Sequence, residues 1–402
     1  MKPFALLLLL PTLALAAPAP QRAAALLRAE DAQAEAWVPR MEAQLARALG
    51  LYEALQVRSP EALHGLTVEP AAQAALERAR QAYAQALAHF EGQRPAPALA
   101  RVRASLEEAR GAPAALRGCT PLCDATALHA ALLLERGELE EAKQALLDLM
   151  ALDPTYALSA QRYARELLAL RGQVGTSHAA AMRGSAGVVS EPAGARVYLD
   201  GEPLGYAPVA IPALAVGAHL LRLERPGFRV EGRLLQASAD EQLLSVPLVP
   251  LPGYAAARAQ LETAVRTLAT DAPSPAAVAL GKRLGLERAL LGSVRTLPGG
   301  ESVELVLGLY ALEEGRRLAV RKLKLQREEL GQLGAELERL VNHLFAAAAG
   351  AAPRAARSGD PLEHTQGTEE WSGEDRGGRS RKAETRRKVA DPLDAVSGTE
   401  DW

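Results

Sequence analysis

At 402 residues the chain is longer than one ordinary core accommodates, so about two to four modules are expected. Lysine plus arginine number 46 against 48 aspartate plus glutamate, a balance that excludes a globally basic surface for nucleic acid. Aromatic residues make up only 4%, while alanine and leucine run through the first half, which favours packed helices over an aromatic-lined ligand pocket.

The N-terminus reads as a secretory signal over residues 1–16. Lys2 supplies the positive end, Phe4 to Leu15 the apolar run, and Ala14-Leu15-Ala16 the small-residue cleavage pattern. That run falls short of the ~20 residues a bilayer span needs, and no cysteine near the cut provides a lipid anchor. No later segment is apolar enough to cross a membrane, so an exported, soluble chain is expected, periplasmic or envelope-associated and able to reach the surface.

From Gln21 to about Leu170 the spacing predicts helices, a domain spanning residues 17–172. Met41, Leu45, Leu49, Tyr52 and Leu55 recur at three- and four-residue steps, as do Leu76, Ala79, Tyr83, Leu87 and Phe90. Pro60, Pro70, Pro95, Pro97, Pro113 and Pro121 punctuate these runs. The chain's two cysteines, Cys119 and Cys123, lie in Cys-Thr-Pro-Leu-Cys. In an oxidising compartment they are candidates for a structural disulfide at the start of the next helix. Free thiols, redox chemistry and metal binding are the alternatives. A thioredoxin-type pair has two intervening residues, whereas here there are three.

Within Asp124 to Pro154, Ala130 and Ala142 let two helices approach, Gly137 permits the turn between them, and Asp153-Pro154 ends the second. That spacing resembles a tetratricopeptide repeat, although Thr126, Leu133 and Leu139 stand where that family usually places large aromatics. The resemblance implies a protein-binding helical platform with further helices stacked on it. A generic helical bundle is the alternative.

Gly, Ser, His and Ala residues then predict a linker over residues 173–184. Beyond it the period changes. Glu191-Pro192-Ala193-Gly194-Ala195 is a turn, Val197-Tyr198-Leu199 a strand, and Asp200-Gly201 a hairpin signal. Leu204-Gly205 with Pro208, Gly217-x-His219-x-Leu221 and Pro226-Gly227-Phe228 follow in order. This succession resembles the PEGA domain, with Ala207 where members tend to have Thr or Ser. The resemblance implies a small all-β module over residues 185–250, in an extracytoplasmic or surface protein, without catalytic residues.

From Tyr254 the chain reads helix, helix, strand, strand, strand, helix, a module over residues 254–347. Leu284-Gly285, Leu290 to Val294, Val303-Glu304-Leu305 and Leu318-Ala319-Val320 resemble the α/β domain at the N-terminus of TolB and of curli-secretion-type proteins. The resemblance implies a protein-interaction or assembly domain. An initial strand is not evident before Tyr254. The expected fold is therefore a multi-domain α+β chain: helical repeat-like region, all-β module, α/β module and tail.

Residues 348–402 are polar and predict a disordered tail. It holds a short repeat: Asp360-Pro361-Leu362 leading to Trp371, then Asp391-Pro392-Leu393 leading to Trp402. Two Trp beside acidic residues form candidate partner-binding motifs, able to act with avidity. Between the copies runs a basic stretch, Arg376 to Lys388, with a solvated linker or a contact to anionic lipid as its readings.

No Gly-x-Gly-x-x-Gly, His-Glu-x-x-His or Gly-x-Ser-x-Gly pattern occurs, and the seven histidines are scattered. The chain is expected to be non-enzymatic, with no cofactor and no resident metal. The leading expectation is an envelope scaffold or adapter whose partners are envelope proteins. A reader of peptidoglycan or surface polysaccharide through the β-module, and an accessory subunit of a secretion, transport or motility complex, are the other two.

Overall fold

The computed structural model describes residues 19–180, 183–267, 272–300, 302–326 and 332–349. The signal segment 1–16 and the tail candidates Asp360, Pro361, Leu362, Trp371, Asp391, Pro392, Leu393 and Trp402 lie outside the described residues.

The chain enters as a strand. β1 (Gln21–Ala29) stands where helix was expected, because the run Ala23 to Leu27 is buried on both faces. Alanine and leucine favour helix intrinsically, but an unbroken apolar run also suits a central parallel strand, and tertiary context decides. After it come α1 (Ala32–Glu35), α2 (Val38–Leu49), β2 (Leu55–Val57) and α3 (Pro60–His64). Leu55, read with the helical stripe of α2, belongs to β2.

A helical unit follows: α4 (Pro70–Glu91), α5 (Pro95–Arg110), a 3-10 turn at Pro113–Ala115, α6 (Leu122–Glu135), α7 (Leu139–Leu152) and α8 (Arg165–Ala180). Its core joins Leu76, Val102, Leu128, Leu132, Leu146 and Leu167. Ala130 and Ala142 are fully buried, and Gly137 makes the turn between α6 and α7 with a φ of 78°. The linker expected over 173–184 is absent: α8 runs to Ala180 and the next strand begins at Arg183. Val174 is buried and Gly175 lets α8 close on Met150, so packing holds a helix that composition alone disfavours.

The β-module comprises β3 (Arg183–Glu191), β4 (Arg196–Leu199), β5 (Glu202–Tyr206), β6 (Val209–Ala215), β7 (Gly217–Glu224), β8 (Glu231–Ala237) and β9 (Glu241–Pro247). Two sheets, ordered β6-β3-β9 and β5-β4-β7-β8, face each other over Val188, Ile211, Val246, Val197, Leu221 and Leu223. Asp200 and Gly201 take φ values of 52° and 93°, the left-handed pair that a tight β4-β5 hairpin requires.

The last unit contains α9 (Tyr254–Arg266), α10 (Pro275–Leu284), β10 (Arg288–Thr296), β11 (Ser302–Ala311), β12 (Arg316–Gln326) and α11 (Leu333–Ala349). Its sheet is ordered β12-β11-β10-β1-β2, with β1 parallel to both β10 and β2. The initial strand is therefore present, placed at residue 21 and not near 254. Arg22 closes the join, bonding Glu287 through both its backbone and its guanidinium. Ala25 and Leu27 point to the α2–α11 layer, and Ala24 and Leu26 to the α9–α10 layer. The α/β unit is thus discontinuous in sequence, and the helical and β units are inserted between β2 and α9.

Candidate functional site

Three units meet at the turns of the β-module. Gly194, at a φ of 89°, sits so close to α1 and α2 that a Cβ there would lie 3.0 Å from Glu35 O and from Pro39. Gly227, at 86°, abuts the Tyr254 ring, where a Cβ would fall 2.2 Å from Cδ2. Main-chain bonds reinforce this contact, Gly227 N to Gly65 O at 2.9 Å and Val230 N to Thr67 O at 2.9 Å. On the other side Gly232 rests on Ala114 and Gly217 on Ala151, while Arg222 donates to Ala114 O at 3.2 Å.

Beneath the Arg225-Pro226-Gly227 turn lies an ionic cluster in which Arg225 and Glu42 are buried and Glu35 and Arg258 half-buried. Arg225 pairs with Glu35, and Arg258 of α9 reaches the same carboxylate at 3.0 Å. Arg258 also donates to Leu27 O at 3.2 Å, and Leu27 N donates to Glu42 Oε1 at 2.8 Å. One central β-strand residue is therefore gripped by groups from α2 and α9. Burial pushes the Glu42 carboxyl up to about 7, against the pull of Leu27 N–H, Arg258 and Arg225. Burial, then Arg258, lowers His64 to about 4, so its ring is neutral near pH 7 and packs edge-on against Tyr254.

The cavity among Glu42, His64, Arg225, Tyr254 and Arg258 measures only about 20 Å³, room for a water and nothing larger. Its chemistry is that of a joint between units, since a substrate has no space there. Pro39 and Pro226 form its roof, and beyond them opens a groove of about 790 Å³. Arg40, Ala43, Gln44 and Arg47 of α2 line one wall, Val57 with Ser59 to Glu61 the end, and Arg196 with Pro203 to Tyr206 the other wall.

The hairpin signature has its own internal tie. Asp200 accepts from Leu220 N at 2.7 Å and from His219 Nδ1 at 2.6 Å, while His219 Nε2 donates to Ala215 O at 2.8 Å. Burial opposes the His219 charge, but the Asp200 bond and charge and the Ala215 carbonyl outweigh it and raise the imidazole. These residues hold the fold of the module and line neither the small cavity nor the groove.

Residues 184–242 match the PEGA domain family. The match begins in β3, ends in β9 and encloses the turns just described. A comparison of the chain with curated proteins finds no match. The PEGA domain therefore contributes two kinds of glycine turn, those that shape its sheets and those that dock it on its neighbours.

Cys119 and Cys123 are brought together, with Cα atoms 5.3 Å apart and Cys123 fully buried. That separation lies within the range a disulfide bridges. The segment just before them touches the hairpin, since a Cβ on Gly201 would lie 3.1 Å from Arg117 O. Among the described residues no group of three His, Cys, Asp or Glu is placed to hold a metal. Sequence reasoning missed Glu35, Glu42, Arg225 and Arg258. One sign was available: Glu42 falls on the apolar side of α2, four residues after Val38 and three before Leu45.

Proposed function

We propose that this chain is a non-enzymatic, exported adapter of the bacterial cell envelope. The observation that carries the reading is the construction of the groove, whose walls come from two units locked by a partly buried ionic joint. Such a joint holds a composite surface rigid, and a rigid composite surface suits recognition of a partner. A PEGA domain at residues 184–242 supports an envelope setting. No helix among the described residues is long and apolar enough to cross a membrane. The leader-like N-terminus supports export, and the tail motifs ending in Trp371 and Trp402 serve a second partner.

Cross-linking in envelope fractions, with the tagged mature chain as bait, tests this reading. Recovery of stoichiometric protein partners supports it. Sedimentation with purified peptidoglycan, abolished by removing the PEGA domain, would favour the wall-reading function instead. The tail is tested by Trp371→Ala with Trp402→Ala, which is expected to remove one set of partners and leave those of the folded units.

A further inference from the structure

The groove between α2 and β5 carries more than its shape. Its helical wall presents Arg40 and Arg47, seven residues apart on one face, so their stems stand about 10.5 Å apart along the axis. Among the described residues neither makes an ion pair or a side-chain hydrogen bond. Arg196 lies on the opposite wall, its guanidinium held over the Tyr198 ring at 5.2 Å and engaged in no ion pair or side-chain hydrogen bond among the described residues. Of the two carboxylates lining the groove, Glu224 is committed to Arg222, which leaves Glu61. Three guanidinium groups therefore face one free carboxylate.

The lining between these cations is apolar and small, with Ala43, Ala46, Val57 and Pro60, and Leu204, 38% exposed, lies across from α2. The strands that border the groove, β2 and β5, are each at the edge of their sheet. An edge strand exposes main-chain donors and acceptors that favour an extended partner. Guanidinium groups at an open groove favour carboxylates, which they bind through paired N–H donors.

We infer that the groove binds an extended acidic segment of a partner protein, clamped by Arg40, Arg47 and Arg196. This rests on the adapter reading above and names the chemistry of its partner. The segment lies along the channel, its carboxylates on the three guanidinium groups and its apolar side chains over Ala43, Ala46 and Leu204.

The test uses the full mature chain and a fluorescein-labelled twelve-residue peptide of alternating Glu and Val, followed by anisotropy. Saturable binding is expected, weakened by added salt and absent for the Lys-Val counterpart. The triple variant Arg40→Gln/Arg47→Gln/Arg196→Gln should bind at least about tenfold more weakly at unchanged Tm. A photo-reactive residue in the peptide should label residues 39–47 or 203–206. Equal binding by the triple variant, labelling elsewhere, or no binding of the peptide overturns the inference. So does binding of an anionic polysaccharide or DNA in place of the peptide. If the triple variant still recovers the same envelope proteins on cross-linking, the groove inference falls and the adapter reading stands. If the peptide binds as described but no envelope protein is recovered, the adapter reading falls alone.

Discussion

Glu42 is a carboxylate on the buried side of an amphipathic helix, and its behaviour follows from that position. Its folded pKa of about 7 lies above the ordinary 4.5, so folding takes up a proton between those values. The stability Glu42 contributes is fully present below about pH 4.5 and is lost as pH rises through 7. The difference is worth about 3 kcal/mol, from roughly 1.4 kcal/mol per pH unit. Urea midpoints at pH 5 and pH 8 should show the fall, and Glu42→Gln should flatten it. His219, whose pKa is raised, contributes in the same sense at higher pH: its stabilisation is complete below its ordinary 6.5 and fades as pH passes its folded value. The Glu42→Gln variant should keep that second component, and Asp200→Asn should lose it. Arg225→Ala is a harsher change. It leaves Glu35 with Arg258 alone in a nearly closed site and should cost about 3 kcal/mol, measured as a lowered Tm.

At the scale of elements, turns carry the contacts between units. Gly227→Ala would drive a methyl into the Tyr254 ring at a φ that side chains disfavour. A loss of about 2 kcal/mol is expected, with faster proteolysis at 225–230, the β7–β8 turn that rests on Tyr254 of α9. A Cys119–Cys123 disulfide would close a very short loop. Reduction should lower stability by about 2 kcal/mol on the chain-entropy scale, and because Cys123 is buried both thiols should be alkylated only under denaturing conditions. The strands and turns of the PEGA domain were readable in advance because Pro192, Gly194, Asp200-Gly201 and Gly227 dictate local backbone whatever surrounds them. Residues 21–29 and 173–180 were not. Ala and Leu in β1 suit helix or buried strand equally by pattern. The Gly, Ser and Thr of α8 are helical only because Val174 and Gly175 pack on the core below them.

For the whole molecule, the consequential feature is that β1 completes a sheet whose other long strands arrive more than two hundred residues later, with Arg22 and Glu287 separated by 265 positions. Removing residues 17–31 should therefore unfold the α/β unit outright instead of trimming an end. A fragment of residues 254–349 should show poor amide dispersion by NMR, and residues 19–349 should be well dispersed. A central strand buried on both faces leaves too much apolar surface uncovered when it is absent.

Local chemistry, read from residues alone, determined the PEGA turns, the helical hairpin around Gly137, the three-strand meander after Leu284 and the acidic Trp repeat of the tail. Each depends on a few neighbours along the chain or on visible repetition. The tertiary structure decided which strand completes the last sheet, where the helical unit ends, and how Glu35 and Glu42 meet Arg225 and Arg258. Glu35 and Arg225 are 190 residues apart, and no pattern within a helix or strand period links them. Their pairing exists because the insertion folds back onto the unit that it interrupts, and burial there turns ordinary surface residue types into a joint.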